Sequence, residues 1–221
     1  MSPDRGIGLL SLGERSTAYY LSRICELSGA RAVPVLLEEM NFDIINKHLP
    51  CNFPELEPAL QDGLNRLSEC DVVVIPNMTL HETFDRLPTL SAAARVIHPV
   101  DETLACLRNA QADNAVVLGS AHTMTSPYWA DALRNMGVNP TSASGKTVAI
   151  VDAFRLKVYA RTETAEDVKI FQDHILEYSH VCPVIVACTE LSMFTEKKER
   201  NIFDAAEIQI KTAIQRVSKT E

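Results

Sequence analysis

The chain has 221 residues, of which 46% are apolar and 23% charged, and this composition is ordinary for a soluble globular protein of one large or two small domains. The net charge of −8, without any cluster of Lys and Arg, argues against a nucleic-acid partner. No apolar run is long enough to cross a bilayer, so we expect no membrane partner either.

The cysteine pattern and the first residues of the chain predict where the protein works. There is no CxxC pair and no Cys/His spacing typical of a metal site, so we expect no metal. The amino terminus lacks the features of a signal peptide, and we expect reduced cysteines in a cytoplasmic protein. The six cysteines are Cys25, Cys51, Cys70, Cys106, Cys182 and Cys188.

Apolar runs and helical periodicity predict alternating strands and helices in the first half. The first strand ends in a Gly/Ser loop containing Ser11, which could hold an anion against the next helix. Predicted strands are residues 7–11, 32–37, 72–76 and 96–99; predicted helices are 16–27, 56–67 and 102–108, with a loop or short helix at 41–49.

The pattern restarts near residue 115. Predicted strands at residues 115–118 and 184–187 enclose predicted helices at 127–136, 146–158 and 165–177. Asn77 follows the strand 72–76 and Cys188 follows the strand 184–187, 111 residues later. The matched loops favour an internal duplication over the chance repetition expected in any α/β chain. Two facing units would bring Asn77 and Cys188 to one cleft.

Cys188-Thr189-Glu190 follows a short run of small and β-branched apolar residues, as expected for a buried parallel strand. Such sheets carry their chemistry at the carboxyl ends of the strands. The alternative is a buried structural cysteine, since free cysteine is among the most buried residue types.

These motifs carry a resemblance to the aspartate/glutamate/hydantoin racemase superfamily. Cys188-Thr189-Glu190-Leu191 resembles its second catalytic motif, and Pro76-Asn77-Met78-Thr79-Leu80-His81 occupies the place of the first. Leu118-Gly119-Ser120 resembles the start of its second domain, and Phe203-Asp204 its return to the first. The resemblance covers nearly the whole chain.

The resemblance implies two pseudo-symmetric, Rossmann-like α/β lobes with parallel sheets and an active site in the cleft between them. The first lobe would comprise residues 1–100 with a returning helix in 200–221, and the second residues 101–199. The resemblance also implies a homodimer that needs no cofactor such as pyridoxal phosphate and acts on an amino acid or dicarboxylate.

Racemisation removes the α-proton from one face and returns a proton on the other, which takes two acid/base groups. Cysteine suits this task, and we expect Cys188 to have a lowered thiol pKa and a partly accessible sulfur. The resemblance implies Cys188 and the Asn77 position as the catalytic pair. It also implies a carboxylate-binding role for Lys157, although a solvated helix lysine is an equal alternative. The implied substrate-binding residues are Ser11, Met78, Thr79, Ser120, Thr123, Lys157, Thr189 and Glu190.

The sequence departs from the family pattern at the first catalytic cysteine, which is replaced by Asn77. An amide cannot act as a base near neutral pH. His81 is more simply a structural histidine than a substitute base, and His122 is a weaker candidate for the cleft. Lys47 and His48 are more simply surface residues than substrate contacts.

Three functions therefore stay open. The first is an amino-acid racemase or epimerase acting on aspartate, glutamate or a related amino acid by cysteine-based proton transfer, either in both directions or from one side. The second is a single-cysteine decarboxylase or lyase. The third is a catalytically silent relative that binds an amino acid or a dicarboxylate.

Overall fold

The computed structural model describes residues 6–87, 95–196 and 201–219. They divide into two compact units: one contains the described residues up to His98 and those from Gln209 onward, and the other is Pro99–Ile208. Each unit is built on its own parallel sheet with helices around it. The prediction of two parallel-sheet α/β lobes is confirmed, while the cleft between them stays a prediction.

The first unit contains a three-stranded sheet in the order β2-β1-β3. β1 (Ile7–Ser11) is central and almost entirely buried, which explains its apolar sequence. β3 (Val72–Val74) is equally buried, whereas β2 (Val35–Glu39) is an edge strand with exposed side chains. The helices are α1 (Glu14–Ser28), α2 (Phe42–His48), α3 (Glu57–Arg66) and α4 (His81–Phe84), with a 3₁₀ turn at Phe53–Leu56.

Helix α3 packs on the first sheet through leucines at helical spacing. Leu60 and Leu64 are fully buried in one apolar cluster, together with Leu56 before the helix and Leu67 after it. Burying a leucine side chain contributes roughly 1.5–3 kcal/mol. This row of leucines therefore holds α3 against the sheet, as the spacing in the sequence predicts.

The last helix, α11 (Ala205–Lys219), completes the core of the first unit. The Tyr20 hydroxyl donates to Gln209 Oε1 at 2.7 Å, and Gln209 Nε2 donates to the Ile97 carbonyl oxygen at 2.7 Å. All three groups are buried, so these hydrogen bonds satisfy polar atoms that water cannot reach.

The second unit contains a four-stranded parallel sheet in the order β5-β4-β6-β7. Its strands are β4 (Asn114–Leu118), β5 (Asn139–Thr141), β6 (Val184–Val186) and β7 (Ile202–Asp204). Its other helices are α5 (Pro99–Asn109), α6 (Ala121–Thr125), α7 (Pro127–Asn135), α8 (Gly145–Ala160), α9 (Ala165–Ser179) and α10 (Thr189–Ser192).

The strands β4 and β6 stay close beyond their paired residues. The Ala187 N–H donates to the Leu118 carbonyl oxygen at 2.8 Å. A Cβ on Gly119 would lie 3.0 Å from the Ala187 carbonyl oxygen and 2.8 Å from the Thr123 methyl carbon. Glycine at 119 therefore permits the close approach of these two strand ends, where the candidate site lies.

Several element bounds differ from those predicted. β2 begins at Val35 rather than residue 32, and the strand predicted at 96–99 is a single bridge between Val96 and Val73. The sequence analysis missed β5 and β7, and the second of these belongs to the second sheet although residues 200–221 were expected in the first lobe. The predicted boundary between residues 199 and 200 lies outside the described residues.

Asp204 is a buried carboxylate that joins two short elements of the second unit. Its Oδ1 accepts hydrogen bonds from the Ser192 hydroxyl at 2.7 Å and from the Ala206 and Glu207 N–H groups at 3.1 Å each. We expect Asp204→Ala to lower the free energy of unfolding by about 1–3 kcal/mol, because it removes a helix cap and leaves buried donors unpaired. Urea unfolding followed by circular dichroism measures this loss.

Two further variants serve as controls for the Asp204 result. Asp204→Asn keeps an acceptor oxygen for the same donors and should recover part of the lost stability. Asp131→Ala removes an exposed ion pair with Arg134 and should cost less than about 1 kcal/mol. Equal losses for Asp131→Ala and Asp204→Ala would contradict the capping role.

Candidate active site

Cys188 lies directly after β6, at the carboxyl end of a strand that is fully buried. It adopts an extended backbone conformation and precedes the short helix α10. Its side chain is buried, with 7% of the residue surface exposed. The sequence prediction that Cys188 stands at the carboxyl end of a parallel strand therefore holds, but the thiol is less accessible than expected.

The Cys188 thiol donates a hydrogen bond to Glu190 Oε2 at 3.1 Å. Burial raises the pKa of this thiol well above its usual range, and the negative charge of Glu190 raises it further. The Leu191 N–H and the charge of Arg155 act in the opposite direction without reversing the shift. The expectation of a lowered pKa is thus wrong, because the thiol is buried beside a carboxylate.

Ser120 and Thr123 lie beside this site at the end of β4. Leu118 is paired with Val186, so Ser120 and Cys188 each lie two residues beyond the same pair. The Ser120 hydroxyl caps α6 by accepting a hydrogen bond from the Thr123 N–H at 3.1 Å, and it lies 2.9 Å from the Thr123 hydroxyl. The structure thus brings both predicted residues to the strand end that carries Cys188.

Sequence analysis missed Arg155, a cation on α8 whose charge acts on the Cys188 thiol. Its Nε donates to Asp152 Oδ1 at 2.7 Å, and the same oxygen accepts from the Ala121 N–H at 3.1 Å. Both side chains are about one-fifth exposed. Arg155 is therefore held by Asp152 at the loop that follows β4.

Lys157, the predicted carboxylate-binding lysine, forms an ion pair with Asp167 of α9 at 2.6 Å. The Lys157 amine lowers the pKa of the Asp167 carboxyl to about 2, together with hydrogen bonds from Thr164. The Lys157 side chain is about half exposed. The Lys157 amine is thus paired with a carboxylate of α9, and the role of Lys157 in binding substrate stays a prediction.

Thr189 and Glu190, the other predicted residues of this motif, begin α10. Thr189 is buried and Glu190 is partly exposed, with its carboxylate on the Cys188 thiol. His122 in α6 is partly buried. Among the described residues, no group of three or more His, Cys, Asp or Glu side chains could hold a metal ion.

In the first unit, Asn77 lies just past β3. Its side-chain oxygen accepts a hydrogen bond from the Leu80 N–H at 3.0 Å, and its carbonyl oxygen accepts one from His81 Nδ1 at 2.9 Å. Met78 is buried and Thr79 partly exposed in the same turn. The Asn77 side chain therefore stabilises the turn in which the family pattern places a cysteine.

His81 is completely buried, and burial lowers its pKa to about 3 with a further contribution from the neighbouring His98. The rings of His81 and His98 are 4.8 Å apart. An imidazole that stays neutral throughout the physiological range and binds the backbone of Asn77 supports the turn. These contacts favour the structural interpretation of His81.

Of the remaining predicted residues of the first unit, Ser11 lies at the end of a strand, whereas Lys47 and His48 lie on a helix. Ser11 ends β1, which is the neighbour of β3, and its hydroxyl lies 3.2 Å from that of Thr17. Lys47 and His48 lie in the last turn of α2, where Lys47 is exposed and His48 partly buried. The structure thus brings Ser11 to the same sheet edge as Asn77.

Comparison with known proteins identifies the family. The family described as Asp/Glu/Hydantoin racemase matches residues 49–213, a range that includes both Asn77 and Cys188. The chain belongs to the Asp/Glu/hydantoin racemase family. A comparison with curated proteins gave no match.

The fold of this chain is similar to those of several solved structures described as aspartate racemases, putative Asp/Glu racemases or their homologues. An aspartate racemase homologue from Pyrococcus horikoshii is 18% identical, with a TM-score of 0.79 over 97% of this chain and 99% of that one. A putative Asp/Glu racemase from Yersinia pestis is 18% identical, with a TM-score of 0.78 over 96% and 98%. The aspartate racemase of Picrophilus torridus is 18% identical, with a TM-score of 0.75 over 96% and 94%.

The Cys188 thiol of this racemase-family protein is expected to react slowly with alkylating reagents. Because the pKa of Cys188 is raised, iodoacetamide should label it more slowly than the exposed Cys25 near neutral pH. The labelling rate of Cys188 should rise as the pH approaches its raised pKa, because the thiolate is the reactive form. Peptide mass spectrometry over a pH series measures both rates.

The variant Glu190→Gln tests whether the charge of Glu190 contributes to the slow labelling of Cys188. Removing this charge lowers the pKa of the Cys188 thiol, so labelling should begin at lower pH. Glu55→Gln makes the same chemical change at an exposed position of the first unit and should leave the labelling unchanged. Equal labelling of Cys188 and Cys25 at neutral pH would restore the expectation of an acidic, accessible thiol.

Proposed function

We propose that this racemase-family protein is a cofactor-independent enzyme that transfers a proton at the α-carbon of aspartate, glutamate or a related amino acid, with Cys188 as its acid/base group. The observation that supports this best is the protonated Cys188 thiol at the end of β6, hydrogen-bonded to the Glu190 carboxylate. Family membership supports the same reaction class.

The Cys188–Glu190 pair can move a proton in either direction. When Glu190 accepts the thiol proton, the Cys188 thiolate can take the α-proton from the substrate and leave an α-carbanion. The thiol now carries the substrate's proton, or one exchanged with solvent, and can return it to that carbanion; the resulting thiolate then takes its own proton back from Glu190. Each cycle conserves protons and needs no electron acceptor, so it proceeds without a cofactor.

We propose that this transfer is one-sided. The Asn77 amide cannot ionise near neutral pH, and its oxygen is engaged with the Leu80 N–H. Without a second acid/base group, the proton returns to the face from which Cys188 removed it. The enzyme should therefore exchange the α-proton with solvent faster than it inverts the configuration.

Proton exchange in D₂O tests this function. The protein is incubated with L- and D-aspartate, L- and D-glutamate and several neutral amino acids, and the α-proton signal and the enantiomer ratio are followed by NMR and chiral chromatography. Loss of the α-proton signal with retained configuration is the expected result. Exchange with inversion would indicate racemisation from both sides, and no exchange across the panel would contradict the proposal.

The protonated thiol also favours a second candidate, a decarboxylase of the single-cysteine type. Loss of CO₂ from a malonate derivative leaves a carbanion that needs a proton donor, and a thiol with a raised pKa is in the donor form at rest. Release of CO₂ from 2-substituted malonates, without α-proton exchange on amino acids, would support this candidate over the first.

We further propose that the protein acts as a homodimer in the cytoplasm. The six cysteines are free, which fits a reducing compartment. Among the described residues no helix is long and apolar enough to cross a membrane. Size-exclusion chromatography with light scattering tests the dimer, and a mass corresponding to one chain would contradict it.

A further inference from the structure

The Arg155 guanidinium is fixed at the strand end that carries Cys188. Its Nε donates to Asp152 Oδ1 at 2.7 Å, and that oxygen also accepts from the Ala121 N–H at 3.1 Å. Ala121 directly follows Ser120, which lies level with Cys188 across the β4–β6 pair. One carboxylate thus ties α8 to the loop beside Cys188, the candidate acid/base residue.

The packing of α8 against two short helices also places it near Cys188. Both α6 and α10 pack against α8, and α10 begins at the residue after Cys188. The positive charge of Arg155 favours the Cys188 thiolate, which is consistent with this placement. Arg155 and Cys188 therefore belong to one cluster within the second unit.

The Arg155 guanidinium has donor groups left over for a ligand. Asp152 engages only Nε, and among the described residues no hydrogen-bond acceptor pairs with the two terminal nitrogens. The side chain is 22% exposed, so an anion can reach it while much of the surrounding water is excluded. Two parallel N–H groups of a guanidinium match the two oxygens of a carboxylate.

Lys157 cannot share this position. Residues two apart on a helix project about 200° from each other around the axis, so they do not face the same neighbour. Lys157 accordingly reaches Asp167 on α9, while Arg155 reaches Asp152 and the loop after β4. The charge available beside Cys188 thus belongs to Arg155.

We propose that Arg155 binds the carboxylate of the substrate and holds its α-carbon at the Cys188 sulfur. The substrate class is then a small carboxylic acid. Binding by Arg155 does not depend on the proposed function, whereas its role in the reaction after binding rests on that function. As the α-proton leaves, negative charge spreads onto the carboxylate oxygens, where the guanidinium stabilises it. Asp152 positions the guanidinium by holding Nε.

Calorimetric titration of the protein and its variants tests this assignment without requiring turnover. The probes are L-aspartate, D-aspartate and malonate. Arg155→Met should weaken binding of these acids at least about tenfold, because it removes the paired donors and the charge. Arg155→Lys should recover part of the affinity, because it keeps the charge but not the two parallel N–H groups.

Arg134→Met is the matched control, since it removes an exposed arginine that, like Arg155, pairs with the aspartate three residues before it. It should leave the affinity within about twofold, and urea midpoints of all variants confirm that each is folded. Lys157→Met tests the competing assignment of the substrate carboxylate to Lys157. Retention of binding in Arg155→Met would overturn the proposal, as would absence of binding to the unmodified protein. If the proposed reaction is wrong but this assignment is right, the protein binds these acids and does not exchange their α-protons.

Discussion

Replacement of Cys188 by alanine is expected to lower the rate of α-proton exchange by about 10²- to 10⁴-fold, the contribution of one positioned acid/base group. Alanine removes the sulfur that is hydrogen-bonded to the Glu190 carboxylate but leaves the buried strand β6 intact. Loss of the α-proton signal in D₂O, followed by NMR on aspartate and glutamate, measures the effect. Cys188→Ser should be nearly as slow, because a hydroxyl is a far weaker acid than a thiol.

Cys182→Ala is the matched control for this result. Cys182 is a buried cysteine of the same apolar cluster, and it lies just before β6. Its loss should cost some stability but leave the exchange rate within about twofold, because its sulfur has no role in proton transfer. Equal rate losses in Cys182→Ala and Cys188→Ala would mean that packing, and not acid/base chemistry, explains the effect.

The change Asn77→Cys is expected to raise racemisation of acidic amino acids by at least about tenfold, since it supplies a second acid/base group. The two side chains are similar in size, so little packing strain is expected. The hydrogen bond from the Leu80 N–H to the asparagine side chain is lost, at about 1 kcal/mol. Chiral chromatography of aspartate and glutamate measures the gain.

Two variants show whether the gain comes from the pair. Asn77→Ser keeps an oxygen for the Leu80 N–H but has no useful acid/base group, and it should not gain activity. Cys188→Ala added to Asn77→Cys should remove the gain. A folded Asn77→Cys protein with an unchanged rate would contradict the predicted cleft shared by residues 77 and 188.

The sequence predicts the buried strands better than the short edge strands β5 and β7. β1, β3, β4 and β6 are buried, so each appears as a continuous apolar run. β5 contains Pro140 between two polar residues, and β7 is a three-residue edge strand ending in Asp204. Edge strands can be short and polar because one side needs no partner, and such segments carry little periodic signal.

The candidate site could likewise be predicted only in part from the sequence. The sequence identifies Cys188 and Ser120, because each follows a strong strand at its carboxyl end. It cannot give the pKa of Cys188, which depends on burial and on the 3.1 Å contact with Glu190. It also cannot distinguish Arg155 from Lys157, because the choice depends on which side of α8 faces β4.

The hydrogen bonds of Gln209 place a constraint on the order in which the chain can fold during synthesis. Tyr20 and Ile97 are made long before Gln209, and at roughly 5–20 residues per second the 112 residues between Ile97 and Gln209 take about 6–22 s. The second unit is continuous in sequence and can complete its sheet within that time. The first unit meanwhile lacks the buried apolar face of α11, which includes Ile210 and Ala213. The first unit therefore begins to be made before the second but closes its core after it, and it exposes apolar surface to chaperones or to aggregation until α11 has been made.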